Sequence, residues 1–404
     1  MSLITVPLLA LPLAVVDKRD SMKISISKLA SAHVPSYSVF VFTIIILSAS
    51  LGVRAESIGE TKGFVLSHFW YAMPFEPDDC PNGLAVALPG GINPPKLYSA
   101  GREGDVPPHL RSRQRTVGEV DQCRFPEAFE DPIMRTGKGR VAYGLNLDGS
   151  IDPNIVAPNT CKHENYTGID GTLGVDNQLY RVLGCINAYR SDSKFQQHVI
   201  RDFIASARQD GQVTTLMEVT GIDDAMNDTD VEVGFYSSTN PTLYDSQRKG
   251  VPYSSLTVSD NPRWQNKLRG KIVDGLIITE PGEIRLDHYQ GQGLPKHVDM
   301  YMRAAQLRLQ IHEDGTATGE LAGYSDVESV YNMEFAQAPP VLPKSWGYKC
   351  PAVYEAIHRL ADGYPDPETG KCTAISTAYH IEAVPAFLIH QNNKDGGTET
   401  AFSK

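Results

Sequence analysis

Residues 307–321 read Leu-Arg-Leu-Gln-Ile-His-Glu-Asp-Gly-Thr-Ala-Thr-Gly-Glu-Leu, and the fold class follows from how this stretch is read. Leu307, Leu309 and Ile311 alternate with Arg308, Gln310 and His312, the period-2 pattern of a strand with one buried face. Asp314-Gly315 then supplies a turn, and Thr316 to Leu321 resumes a β-rich run, so the segment predicts a hairpin. Val231, Val233 and Phe235 repeat the alternation upstream against Glu232, Gly234 and Tyr236. Thr214–Thr220 and Lys271–Thr279 add two further β-rich runs. Short strands separated by turn residues are the mark of an antiparallel sandwich or barrel.

Two helices interrupt this pattern. Asp192-Ser193 can cap a segment in which Phe195, Val199 and Phe203 recur every fourth residue. A second helix starts at Pro351, places Val353, Ile357 and Leu360 on one face, and stops by Gly363. His358 beside that face reads as a structural residue. Residues 56–140 are rich in Pro and Gly and predict a loop-rich N-terminal region. The polar tail 391–404 reads as disordered. The expectation is therefore a mainly β protein: a loop-rich part (56–140), an antiparallel β-sandwich core (141–345) resembling the concanavalin-like class, and a C-terminal helix and strand (346–390).

The chain start carries a different message. Val39 to Val53 (VFVFTIIILSASLGV) is an uncharged apolar run, with Lys18, Arg19, Lys23 and Lys28 before it and Val53-Arg54-Ala55 after it. A basic start, a short apolar centre and a small-residue exit make a secretory signal peptide, with cleavage expected after Ala55. The run is too short for a comfortable membrane span, so no stable span is expected after cleavage. Met22 begins an ordinary basic leader (MKISISK), which makes it the expected true start. The resulting setting is periplasmic or secreted.

The net charge of −11 argues against nucleic-acid binding, which needs clustered cations. Six cysteines, Cys80, Cys123, Cys161, Cys185, Cys350 and Cys372, form an even set in an exported chain and predict disulfides. Short loops close most cheaply, which favours 80–123, 161–185 and 350–372, each contributing roughly 3–4 kcal/mol. No CxxC spacing favours a zinc ribbon or attached haem.

Oxygen-rich loops provide the binding candidates. Asp223, Asp224, Asp228 and Asp230 crowd one connector, a charge density that calcium would relieve. Asp170, Asp176 and Asn177 place hard oxygens on a Gly-rich stretch between Cys161 and Cys185, where a turn leading into a strand at Leu179–Leu183 is the simpler reading. Asn146–Asp152 has alternating oxygen donors but a misplaced glycine, so it reads as a turn. Cys161-Lys162-His163 is a weak metal signal, because an oxidised cysteine is no ligand. His288, His297, Met300 and Met302 combine donors that suit copper without a fixed spacing. No GxSxG, SxxK, HExxH or Walker loop occurs. Glu218, Glu232, Glu280 and Glu283 lie on or beside predicted strands and could furnish a glycosidase pair.

The runs Gly168-Ile169-Asp170, Gly174 to Tyr180 with Cys185, and Leu360-Ala361-Asp362-Gly363-Tyr364-Pro365-Asp366-Pro367 resemble a group of exported bacterial proteins of uncharacterised activity. That resemblance implies a periplasmic or secreted bacterial setting and transfers no catalytic residue. Together these readings favour a non-catalytic binding protein for a carbohydrate or other small ligand, supported by calcium. A secreted hydrolase of glycans or esters is the alternative, and a periplasmic metal-binding or redox protein the third.

Overall fold

The computed structural model describes residues 59–74, 96–97, 122–130, 134–152, 154–186, 189, 208–290, 296–336 and 348–391, all within the compact unit Glu56–Lys404. The leader, Cys80, the helix expected from Asp192 and the tail beyond Gln391 lie outside the described residues. In chain order the elements are β1 (Glu60–Tyr71), β2 (Lys96–Leu97), β3 (Phe129–Glu130), β4 (Val141–Ala142), β5 (Tyr166–Gly168) and β6 (Leu173–Val175). Helix α1 (Gln178–Leu183) precedes β7 (Thr215–Ile222), β8 (Asn227–Ser237), β9 (Ser254–Thr257) and β10 (Gln265–Val273). Next come β11 (Leu276–Thr279), β12 (Gly282–Gln290), β13 (Lys296–Ile311) and β14 (Ala317–Asp326). Helices α2 (Val327–Glu334) and α3 (Cys350–Arg359) lead to β15 (Gly363–Pro365) and β16 (Cys372–Ile389).

The main sheet is antiparallel in the order β1-β7-β8-β10-β11-β13-β14-β16, and β16 then pairs with β1. It is therefore a closed eight-stranded barrel, and the sandwich expectation is corrected. Alternation cannot separate the two, since each buries one face of every strand. The deciding contact is the pairing of Phe64–Tyr71 with Tyr379–Pro385, which joins the first strand to the last.

The interior is filled by side chains, as eight strands allow. Phe64 and Leu66, Val231, Val233 and Phe235, and Leu307 and Leu309 all point into one core and are buried. Ile311 is half-buried beside them. Strand β10 shows the logic most cleanly, because Asn266, Leu268, Gly270 and Ile272 are buried while every residue between them is exposed. The 307–321 hairpin forms as expected, with Gly315 at φ 82° in the turn.

Three local expectations change. Lys271–Thr279 is not one run but the hairpin β10–β11, turned at Asp274-Gly275 (φ 51° and 80°), the pair of positive φ angles that a tight two-residue hairpin requires. Leu179–Leu183 belongs to α1, whose residues are all buried; continuous burial leaves no periodicity to read. The region 56–140 is not merely loop, because β1 supplies a full barrel strand. The barrel accordingly draws on all three segments, and 141–345 does not close a core alone.

Helix α3 matches its expectation, with Pro351 in its first turn, Val353 and Ile357 buried, and Leu360 packed against the core. His358 ties α3 to α2: Nδ1 lies 2.8 Å from the Tyr354 carbonyl and Nε2 3.0 Å from Glu328. Among the described residues, no helix is long and apolar enough to cross a membrane.

The described disulfides are Cys123–Cys350 and Cys161–Cys372, and Cys185 is also oxidised. The expected pairs 80–123, 161–185 and 350–372 are thus overturned. Loop entropy ranks pairings in the unfolded chain, but the fold sets which thiols meet. The Cys161 amide donates to the Asp362 carbonyl (2.8 Å), and Thr160 bridges Gly363, which carries Cys161 to the start of β16. Two long-range disulfides point to an oxidising compartment.

Candidate functional site

The outward positions of four neighbouring strands form a polar face. Cross-strand register sets two rows across it. One row runs Trp70 (β1), His380 (β16), Glu320 (β14) and Arg308 (β13); the other runs His68, Glu382, Thr318 and Gln310. These eight side chains belong to the lining of a groove of about 570 Å³, walled by Tyr143, Tyr189 and Met73. That volume falls in the range of small-ligand sites.

The walls come from the segments that follow β1 (Met73), β4 (Tyr143) and α1 (Tyr189). The Tyr143 ring stands edge-on to the His380 ring at 4.2 Å, and Trp70 stacks on Tyr189 at 6.3 Å. Arg308 is held from two sides, by Asp170 (2.6 Å) and by Glu320 (3.0 Å). Burial raises the Glu320 pKa, and Arg308 opposes that rise. Burial and the neighbouring His68 lower the His380 pKa to about 4, with Glu382 opposing, so His380 is neutral near pH 7. The groove therefore offers the imidazoles of His68 and His380, two carboxylates, an amide, a hydroxyl and an engaged guanidinium between aromatic side chains.

The sequence candidates fall outside the groove lining, and Asp170 reaches it only through its ion pair with Arg308. On the β7–β8 hairpin, Asp228 accepts from the amides of Asp223 (2.7 Å), Asp224 (3.3 Å) and Asp230 (3.1 Å). Asp224 accepts from Met226 and Asn227. Those carboxylates fold back on their own backbone, and the amides hold Asp228 below the usual carboxylate range. Asn177 is buried and donates to the carbonyls of Ala72 and Tyr143, which positions the groove wall. Asp148 forms the turn expected of 146–152, its Oδ1 accepting from the Ser150 amide at 2.7 Å.

Asp176 is fully buried and meets His163, with 2.8 Å between Oδ1 and Nε2. Its Oδ2 accepts from the Leu147 and Asp148 amides. The other imidazole nitrogen lies 2.8 Å from the Cys161 carbonyl. Burial lowers the His163 pKa, but the Asp176 hydrogen bond and Asp362 outweigh it, and the value is raised to about 9.

His288, Met300 and Met302 are packed inside the barrel, while the His297 side chain lies outside the described residues. Glu218 faces His390, and Glu232 pairs with Lys267. Glu283 bonds Tyr301, and the Glu280 amide bonds the Arg269 carbonyl. None of these four lies in the groove lining. The carboxylates that do are Glu320 and Glu382. The polar positions of the 307–321 alternation already contained Arg308, Gln310, Thr318 and Glu320, but nothing local ties them to His68 or His380. No family model, characterised protein or solved structure matches the chain.

Proposed function

We propose that this is an exported, non-catalytic binding protein whose barrel-side groove takes a neutral glycan. The observation that carries the reading is the pairing of aromatic side chains, Trp70 in the floor and Tyr143 in the wall, with polar floor side chains set at strand spacing. Aromatic faces stack on the apolar faces of sugar rings, and amide, imidazole and carboxylate groups match hydroxyls. A neutral ligand fits better than an acidic one, because Arg308 is already engaged and Glu320 and Glu382 add negative charge. The reading uses the groove alone; calcium at the acidic loops would support it from a distance, through stability.

A glycan array followed by calorimetry tests it. Binding to neutral oligosaccharides is expected, with Trp70→Ala and His380→Ala each weakening affinity at least tenfold in folded protein. Absence of binding, or binding indifferent to both variants, sinks the reading.

One observation favours a hydrolase as the second reading. Glu320 and Glu382 are diagonal neighbours across β14 and β16, which places their Cβ atoms roughly 6–7 Å apart. Carboxyl groups carried on positions this close can reach the roughly 5–9.5 Å separation of a pair flanking a glycosidic bond. Release of reducing sugar, abolished by Glu320→Gln and by Glu382→Gln, would replace binding with catalysis.

A further inference from the structure

Beneath the groove wall, three chain segments meet that are remote in sequence. Asp148 sits in the turn after β4, His163 follows the Cys161 disulfide, and Asp176 directly follows β6. One ligand atom from each lies within 4.8 Å of the others. Two atoms bound to one tetrahedral zinc ion stand about 3.3–3.5 Å apart, so the half-exposed Asp148 side chain has to move inward by about an ångström or more to close the set.

Two features prepare this set for a cation. The His163 Nδ1 is engaged by the Cys161 carbonyl, which leaves Nε2 aimed at Asp176; an outer hydrogen bond of this kind orients metal-binding histidines. Independently, the Tyr324 hydroxyl is buried without a hydrogen-bond partner, in a residue 3% exposed, and Asp176, Asp362 and Asp148 are its charged neighbours. An unpaired buried hydroxyl is unfavourable unless something satisfies it.

We propose that Asp148, His163 and Asp176 bind one divalent transition-metal ion, with the Tyr324 hydroxyl as the fourth ligand. One imidazole nitrogen with carboxylate oxygens suits zinc better than calcium, which takes six to eight oxygens. The ion replaces the proton between Nε2 and Asp176 Oδ1 and ties the 146–152 turn to β6. The site stands apart from the glycan reading and does not depend on it.

The test is equilibrium dialysis of the full-length oxidised protein, stripped with chelator, against zinc chloride alone, read by elemental analysis. One zinc per chain is expected at micromolar free metal. Asp148→Asn and His163→Gln should each weaken retention at least tenfold, and Tyr324→Phe by a smaller factor, with circular dichroism reporting the fold. If a variant misfolds, cobalt absorption of the unaltered protein decides. An intensified d–d spectrum supports the site, and a spectrum of free aqueous cobalt overturns it. Failure of folded unaltered protein to retain zinc, or unchanged retention by folded Asp148→Asn, also overturns it and leaves His163–Asp176 as a buried ion pair.

Discussion

His288 shows what burial does to a single residue. It lies on β12 inside the barrel, with Arg208 as its charged neighbour. Arg208 is itself buried, against the Phe69 ring, with Thr215 3.4 Å away. Burial first, and then Arg208, lower the His288 pKa to about 3. The sign follows directly. Below pH about 6.5 the unfolded chain takes up a proton that the folded chain refuses until about 3. This residue therefore costs nothing above pH 6.5 and destabilises the fold increasingly as the pH falls, by up to about 1.4 kcal/mol per pH unit. Urea midpoints of the unaltered protein and His288→Gln, followed from pH 7.5 to 4.5, should diverge in slope, the variant losing less stability on acidification. Parallel curves would show that His288 is protonated in the folded state. The identity of His288 is visible in the sequence, but its neutral state is not, because Arg208 is 80 positions away along the chain.

At the scale of elements, the strand β10 carries an irregularity with a purpose. The Asn266 side chain is buried in an otherwise apolar inward row. Its Nδ2 donates to the carbonyls of Phe235 (3.1 Å) and Arg285 (2.8 Å), and its Oδ1 accepts from the Arg285 amide (2.7 Å). One amide thus imitates a peptide group and splints β8, β10 and β12, where β12 pairs with β13 off the ring of barrel strands. Asn266→Ala leaves the Arg285 amide and carbonyl without this partner, and a loss of about 2–4 kcal/mol in chemical denaturation is expected. A loss below about 0.5 kcal/mol would mean that water replaces the splint. Elements were legible where their periodicity was pure: β8, the 307–321 hairpin and α3. Reading failed at α1, where every residue is buried, and at β1, where the consecutive buried residues 64–66 and 69–71 break the period-2 alternation.

At the scale of the whole molecule, closure is the central event. The strand at residues 60–71 pairs with the strand at 372–389, and two disulfides span 227 and 211 residues. On the chain-entropy model a loop of that length is worth about 5 kcal/mol, more than the short loops first expected. Non-reducing peptide mapping should recover Cys123 linked to Cys350 and Cys161 to Cys372. Replacing both Cys161 and Cys372 with Ser should cost about 2–5 kcal/mol. Recovery of 161–185 or 350–372 would refute this topology. What the sequence by itself determined is mostly local: which residues face inward along a strand and that Asp314-Gly315 turns the chain, while the even cysteine count behind an export leader added that the cysteines are oxidised. The inward faces and the turn depend on neighbours a few positions apart. Only the tertiary structure decided that the sheet closes, which thiols meet, and that Trp70, His380, Glu320 and Arg308 share one row. The reason is that alternation fixes the face of a residue but not its cross-strand neighbour. That neighbour is chosen by long-range register, whose closure entropy changes too slowly with loop length to be read from spacing.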